Sequence, residues 1–288
     1  MREVDGHTRV CGLIGNPVEH TLSPVIHNTL AEAFGHNLVY VPFRVEEECV
    51  KEAVKGADAL NILGCNVTVP HKSAVIPFLK DMDPLAKKIG AVNTLVRTEG
   101  GFKGYNTDLP GLYRAMVSDG VKIAGEQILI LGAGGVARAA AMLLADKGAG
   151  RIVLINRTVE KAQAIVEEIQ SYYPDVSLEA AGLSELSRFS EKKAYLAIQA
   201  TNLGMYPQTD RTLIEDPDFY EVIHTGYDLI FNPADTRFMQ LVRARGGKAY
   251  NGLKMLLYQG IIAYELWNQV QVTDSLAQQI YEQLKQNG

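Results

Sequence analysis

The run Gly132-x-Gly134-x-x-Ala137 constrains the fold of this chain more than any other stretch. It directly follows the apolar run Gln127–Leu131 and directly opens an alanine-rich segment, Val136–Lys147. A strand that turns at once into a helix needs a first glycine for the tight turn. A second glycine lets an anionic group reach the backbone, and a small third residue permits close helix–strand packing. The helix start then offers free amides and the positive end of its dipole to phosphate. Glycine-rich turns are common, so the motif is weak alone. Here the next apolar run, Arg151–Ile155, and the helical pattern Glu160–Tyr172 supply the context it requires. A dinucleotide site on Gly132, Ala133, Gly134, Gly135, Val136 and Ala137 is therefore expected.

The end of the next strand indicates which dinucleotide. An NAD-selective site places Asp or Glu about 20 residues on, to hold the ribose 2′-hydroxyl. This chain has Asn156-Arg157-Thr158 there, with Lys161 one helical turn later. No carboxylate stands ready to repel a 2′-phosphate, and a guanidinium, a hydroxyl and an ammonium can bind one. The pattern favours NADP over NAD. The competing reading is a solvated basic turn.

Bulk properties narrow the class. With 288 residues, 47% hydrophobic and 21% charged, the chain can bury one large core or two ordinary ones. A net charge of −5 argues against nucleic acid as the main partner. Three cysteines without Cys-x-x-Cys spacing predict neither a disulfide framework nor structural zinc, and the six histidines lack metal-ligand spacing. No metal is expected. There is no signal-peptide pattern at the N-terminus and no apolar run of membrane-spanning length. A soluble cytoplasmic protein is the expectation.

Short apolar runs alternate with helical stretches, which predicts α/β architecture with parallel pairing. Strands are expected at 10–14, 38–45 and within 59–69, with a hairpin at 91–97 and 102–106 around Glu99-Gly100-Gly101. Ser23-Pro24 reads as an N-cap followed by proline at the first helical position. A second unit starts after Gly120, with further strands at 195–200 and 225–231. A strongly apolar helix follows at 253–267, and a polar amphipathic one closes the chain at about 275–285.

Within the first unit, Asn66-Val-Thr-Val-Pro-His-Lys72 concentrates an amide, a hydroxyl and an amine where a strand meets a proline. Alternation puts Asn66 and Thr68 on one strand face. Pro70 can open a helix, which would set Lys72 in the first turn, a poor place for a surface ammonium. The set suits a site that holds a hydroxylated substrate and moves a proton. The alternative is an ordinary strand end with a solvated lysine.

Taken together, these stretches resemble the shikimate dehydrogenase family along nearly the whole chain. Gly15-Asn-Pro-Val-x-His20-Thr-Leu-Ser23-Pro resembles the family's substrate-carboxylate loop, and Asn66-Val-Thr68-Val-Pro-x-Lys72 its catalytic segment. Ala91-Val-Asn93-Thr and Gly104-Tyr-Asn-Thr-Asp108 are similar to two further substrate motifs. Gly132-Ala-Gly-Gly135 and Asn156-Arg-Thr158 resemble its NADP loops, and Ala200-Thr201-Asn-Leu-Gly-Met205 the stretch beside the nicotinamide. Asn251-Gly252-Leu-x-Met255-Leu-x-x-Gln259-Gly is similar to the helix that returns to the first domain.

The resemblance implies two domains with an active cleft between them. Residues 1–109 plus 252–288 would form an α/β substrate-binding catalytic domain. Residues 110–251 would form a Rossmann-type NADP-binding domain with a doubly wound parallel sheet. The implied reaction is reversible reduction of 3-dehydroshikimate to shikimate by NADPH, on the route to chorismate and aromatic amino acids. Lys72 and Asp108 match the catalytic pair, with Lys72 either the proton donor or mainly a positioning group. Thr21, Ser23, Asn66, Thr68, Asn93, Phe231 and Gln259 would face substrate. Gly132 to Ala137, Asn156, Arg157, Thr158, Lys161, Thr201, Met205, Leu229, Gly252 and Met255 would face NADP. The family usually has Ser where this chain has Thr21, and often Tyr where it has Phe231. Both changes bear on substrate preference. A quinate/shikimate enzyme with broader substrate or NAD use is the nearest alternative, and a non-catalytic NADP sensor on the same fold a distant one. The expected partner is a small-molecule substrate, with the chain a monomer or homodimer and neither nucleic acid nor membrane involved.

Overall fold

The computed structural model describes residues 4–287. The chain divides into two compact units, Met1–Leu112 with Leu256–Gly288, and Tyr113–Met255.

In the first unit, β1 (Arg9–Gly15) lies between β2 (Leu38–Arg44) and β3 (Gly64–Val67), parallel to both. The sheet continues through β5 (Thr94–Thr98), antiparallel to β3, and β6 (Gly101–Tyr105), antiparallel to β5. The two-residue β4 (Asp81–Met82) closes the far edge, giving the order β2-β1-β3-β5-β6-β4. The glycine pair at the β5–β6 turn, Gly100 and Gly101, has positive φ, as the hairpin reading requires.

Alternation sorts this sheet into two faces. Ile14, Cys65 and Val67 join a core with Val50, Val54 and Ala57 of α2 (Val50–Ala59). Tyr40 and Asn66 point the other way, toward His27 of α1 (Ser23–Ala33) and Trp267 of α8 (Leu253–Asn268). A Cβ on Gly64 would lie 2.1 Å from Trp267 Nε1, so glycine there lets α8 reach the sheet and donate to the Leu95 carbonyl. The remaining helices of this unit are α3 (Pro84–Ile89) and the closing α9 (Asp274–Asn287). The helix α4 (Asp108–Ser118) carries the chain into the second unit, and α8 returns it.

The second unit is a wholly parallel sheet. Its strands are β7 (Gln127–Leu131), β8 (Arg151–Ile155), β9 (Ser177–Ala181), β10 (Tyr195–Gln199), β11 (Ile223–Asp228) and β12 (Lys248–Tyr250). The order is β12-β11-β10-β7-β8-β9, so successive strands run outward from β7 and then outward again from β10. This is the doubly wound order of a dinucleotide-binding fold, and it reverses between β7 and β10. The parallel strands are joined by α5 (Gly135–Asp146), α6 (Val159–Tyr172), irregular segments and α7 (Arg237–Ala244). The strand interiors read as continuous apolar runs because both faces are buried. Phe189, Phe219, Tyr220 and Phe238 complete the core with edge-to-face contacts. Among the described residues no helix is long and apolar enough to cross a membrane.

Several local expectations are corrected. Pro70 does not open a helix: residues 70–75 form consecutive turns, followed by a short 3-10 turn at Ile76–Phe78. The Lys72 carbonyl accepts from Val92 N at 2.8 Å, so it is spent on a neighbouring segment rather than on a helical bond. Lys72 therefore does not stand at the positive end of a helix dipole. Ser23 is not the N-cap of α1: Leu22 is, without a side-chain cap. Thr21 Oγ1 accepts from Ser23 N at 3.2 Å instead, a side-chain turn one step earlier. The strand expected to reach Phe231 ends at Asp228, whose carboxylate accepts from Ile230 N and turns the chain.

Candidate active site

In the first unit the ends of four segments bring polar groups together. Lys72 Nζ donates to Asp108 Oδ2 at 2.7 Å. Both side chains are partly exposed, at 33% and 23%, so the pair is open to a ligand. His71 anchors the turn that presents Lys72. Its buried ring donates from Nε2 to the Val45 carbonyl at 2.7 Å, which fixes the tautomer. Asp108 is the first residue of α4, where an anionic group is favoured. Asn106 Oδ1 accepts from its amide at 3.1 Å.

Asn93 braces the pair. Its Nδ2 donates to Asp108 Oδ1 at 2.9 Å, and its Oδ1 accepts from Thr107 N at 2.7 Å. That backbone bond settles which way the amide faces. Thr94 and Thr107 lie beside it, their hydroxyls 3.2 Å apart. Asn66, directly across from Thr94 in the β3–β5 pairing, donates from Nδ2 to Thr94 Oγ1 at 3.1 Å and to the Asn93 carbonyl at 3.3 Å. Tyr40 donates to Asn66 Oδ1 at 2.8 Å. Asn66, Asn93, Thr94 and Thr107 are all buried, and this dense polar group is internally paired, as burial demands.

The other first-unit candidates are placed as follows. Thr68 follows β3, and a Cβ on Gly15 would lie 2.3 Å from its methyl group, so its position depends on that glycine. Thr21 Oγ1 donates to Ser23 Oγ at 3.1 Å. The amides of Val25 and Ile26 both bond the Leu22 carbonyl, so at this helix start the hydroxyls are better placed than the amides to meet an anion. Gln259 is buried on α8, with Nε2 folded back onto the Leu256 carbonyl at 2.8 Å. The Gln259 backbone packs on α4 one turn beyond Asp108: a Cβ on Gly111 would approach its N to 2.7 Å.

In the second unit the candidates gather after the C-terminal ends of the strands, where open α/β sheets bind ligands. Gly132 has φ +117°, and a Cβ there would meet Thr201 Cγ2 at 2.9 Å, so the loops after β7 and β10 touch. Gly134 and Gly135 have open space where a side chain would be. Gly134 caps α5 without a side-chain bond, and the first amides of that helix are available to phosphate. Ala137 is fully buried, while Val136 projects into solvent. After β8, Asn156 Nδ2 donates to the Thr158 carbonyl at 2.9 Å and shapes the turn. Arg157, Thr158 and Lys161 are exposed around it. These residues fit a pyrophosphate and a 2′-phosphate.

Gln199 and Asp228 shape the remaining loops. Gln199 Oε1 accepts from Thr201 N and Oγ1 at 2.6 and 2.7 Å, and its Nε2 donates to the Leu203 carbonyl at 3.0 Å. Asp228 is fully buried and accepts from Thr236 Oγ1 at 2.5 Å. Burial pushes its carboxyl up to about 6, partly offset by those hydrogen bonds. Gly252 N donates to the Ile230 carbonyl at 2.9 Å, and a Cβ on Gly252 would lie 2.4 Å from Leu229 O. Leu229 and Gly252 are thus in contact, with Phe231 half-buried beside them. Met205 is exposed on the loop after β10, and Met255 is half-buried on α8.

Sequence reasoning missed Tyr40, Thr94, Thr107, Gln199 and Asp228 as supporting residues. The Asn-Thr pairs at 93–94 and 106–107 were visible, but nothing local marked their threonines as partners.

A family model for the shikimate dehydrogenase substrate binding domain matches residues 13–95, and one for shikimate / quinate 5-dehydrogenase matches residues 115–201. A shikimate dehydrogenase (NADP(+)) of Desulforamulus reducens is 43% identical over 270 residues, covering 92% of this chain and 91% of the relative. A crystal structure of a shikimate dehydrogenase in complex with NADP+ superposes with a TM-score of 0.86 at 36% identity, covering 98% of this chain and 97% of that one. The shikimate 5-dehydrogenase of Listeria monocytogenes, solved with shikimate and NAD, gives 0.87 at 31% identity, with 99% of each chain covered. The chain belongs to the shikimate dehydrogenase family.

Proposed function

We propose that this protein catalyses the reversible NADPH-dependent reduction of 3-dehydroshikimate to shikimate, a step toward chorismate, in the cytoplasm. The observation that carries the reading is the Lys72–Asp108 pair at 2.7 Å, with Asn93 on the other carboxylate oxygen. When bound, NADPH supplies hydride to the ring carbonyl carbon. Lys72 has spent one of its N–H bonds on Asp108, which leaves two for the carbonyl oxygen. There it stabilises developing alkoxide and delivers the proton. Asp108 holds Lys72 in place and keeps lone pairs for a ring hydroxyl. Asn93 prevents the carboxylate from rotating away. Thr21 and Ser23 offer hydroxyls to the substrate carboxylate, and Asn66, Thr68 and Gln259 take the ring hydroxyls.

The second unit would hold NADP. Gly134 and the α5 amides suit the pyrophosphate, and Arg157, Thr158 and Lys161 suit the 2′-phosphate. Thr201, Met205, Leu229, Gly252 and Met255 would flank the nicotinamide, and Phe231 the substrate.

Quinate is the competing substrate. Thr21 carries a methyl group where the family usually has none, and Phe231 lacks the phenol hydroxyl often found there. Initial rates at the nicotinamide absorbance band, with shikimate or quinate against NADP or NAD, test the proposal. Shikimate with NADP should give the highest kcat/KM. Faster turnover of quinate with NAD would replace it by the broader reading.

A further inference from the structure

We propose that Tyr40 is a positioning residue for this site: its buried phenol holds Asn66 so that Asn66 meets a substrate hydroxyl as an acceptor. The inference rests on the proposed function, since it concerns the same substrate. Tyr40 stands on β2, far in sequence from every motif that marks the site. Its ring stacks on His27, with centroids 4.2 Å apart and planes 14° apart. That buried imidazole takes no bond from the phenol, and its ring lies against the Asn66 side chain. The Tyr40 hydroxyl, 1% exposed with its residue, reaches Asn66 Oδ1 and also lies beside the Ser23 hydroxyl. One phenol thus touches two of the segments assigned to substrate.

The hydrogen-bond count on Asn66 decides its role. An amide has two N–H bonds and two oxygen lone pairs to offer. Both N–H bonds are spent, on the Asn93 carbonyl and on Thr94 Oγ1. Tyr40 takes one lone pair on Oδ1. What remains toward a ligand is the second lone pair, so Asn66 accepts from a substrate hydroxyl and cannot donate to one. Tyr40 makes the well-formed hydrogen bond at the oxygen end of this amide, with the His27 ring beside it.

From Tyr40 the donors run head to tail. The phenol donates to Asn66, Asn66 Nδ2 to Thr94, Thr94 Oγ1 to Asn93 Oδ1 and Asn93 Nδ2 to Asp108. Such a row is mutually polarising, and it ends on the carboxylate that holds Lys72. Asn93 has its own backbone anchor at Thr107, so losing Tyr40 should disturb Asn66 strongly and Asp108 weakly. The expected signature is weaker substrate binding with nearly intact chemistry.

Tyr40→Phe keeps the ring on His27 and removes only the hydroxyl. Loss of one hydrogen bond predicts about a three- to tenfold rise in the KM and calorimetric Kd for shikimate. The change in kcat should be smaller than the change in KM, and the KM for NADP should not move. In an Asn66→Ala background the same substitution should add nothing, because Tyr40 acts through Asn66. Should Tyr40→Phe fail to fold, 3-fluorotyrosine at position 40 retains the packing and makes a stronger donor, and shikimate KM should shift with it. An unchanged shikimate KM in folded Tyr40→Phe or in the fluorotyrosine protein would overturn the inference. So would full additivity with Asn66→Ala. If the natural protein binds no shikimate and turns none over, the proposed function falls first, and that outcome is separate from a Tyr40 failure.

Discussion

Lys72→Met separates catalysis from stability more sharply than any other single change. Methionine keeps the side chain's length and loses its charge and donors. The Lys72–Asp108 pair is partly exposed on both sides, at 33% and 23%. A pair so accessible contributes only about 0.2–1 kcal/mol. After the change Asp108 still accepts from Asn93 Nδ2 and still faces solvent, so no buried charge is stranded. For a chain of this size the expected fall in Tm is therefore about 4 °C or less. Catalysis should suffer far more. Losing a positioned proton donor costs roughly 10²- to 10⁴-fold in rate, or about 2.7–5.5 kcal/mol of transition-state stabilisation. The assay pairs shikimate oxidation at saturating NADP with a thermal melt and with NADP titration by fluorescence. Large loss of kcat, a small Tm change and unchanged NADP affinity are expected. A kcat within threefold of the natural protein would remove Lys72 from the chemistry. A Tm drop above 10 °C would make it a structural lysine instead.

Three further outcomes follow from the same geometry. Arg157→Ala should raise the KM for NADP about tenfold and leave that for NAD unchanged, as steady-state kinetics with both cofactors would reveal; equal effects on the two would deny Arg157 the 2′-phosphate. Asp228 carries a carboxyl whose folded value, about 6, lies above its usual 3.8, so the native state binds the proton more tightly and ionisation costs stability as pH rises through that window. In urea titrations from pH 4 to pH 7, Asp228→Asn should gain on the natural protein by up to about 3 kcal/mol as pH rises, and a constant difference would contradict the burial argument. Gly111→Ala would drive a methyl group into the Gln259 backbone, 2.7 Å away, and should cost about 1–3 kcal/mol by overpacking; an unchanged Tm would mean that α4 and α8 yield freely.

What the sequence made legible follows from where its signals are local. The strand–glycine–helix run at 127–147 carries its structural reason within itself, and both the parallel strands and the open space at Gly134 and Gly135 are found there. The β5–β6 hairpin is likewise announced by its glycines. Helix starts fared unevenly. The one at Ser23-Pro24 is found, with Leu22 rather than Ser23 as its cap residue, whereas Pro70 opens no helix and the Lys72 carbonyl is committed to Val92. The helix that Asp108 begins, α4, drew no expectation of its own. The elements β9 and α7 drew no expectation, because Ser177–Ala181 is short and mixed and Arg237–Ala244 spans barely two turns. Tyr40 was invisible for a different reason. A tyrosine in an apolar strand looks like core, and only the register of β2, β1 and β3 brings its hydroxyl to Asn66.

The central claim is that one Lys–Asp pair and one dinucleotide loop serve a single hydride transfer on shikimate. Its most direct test is the turnover of purified protein with shikimate and NADP, followed as absorbance of reduced nicotinamide. Saturable NADPH formation that disappears in Lys72→Met while NADP still binds is the expected result. NADP binding with no turnover of shikimate or quinate, under either cofactor, would contradict it.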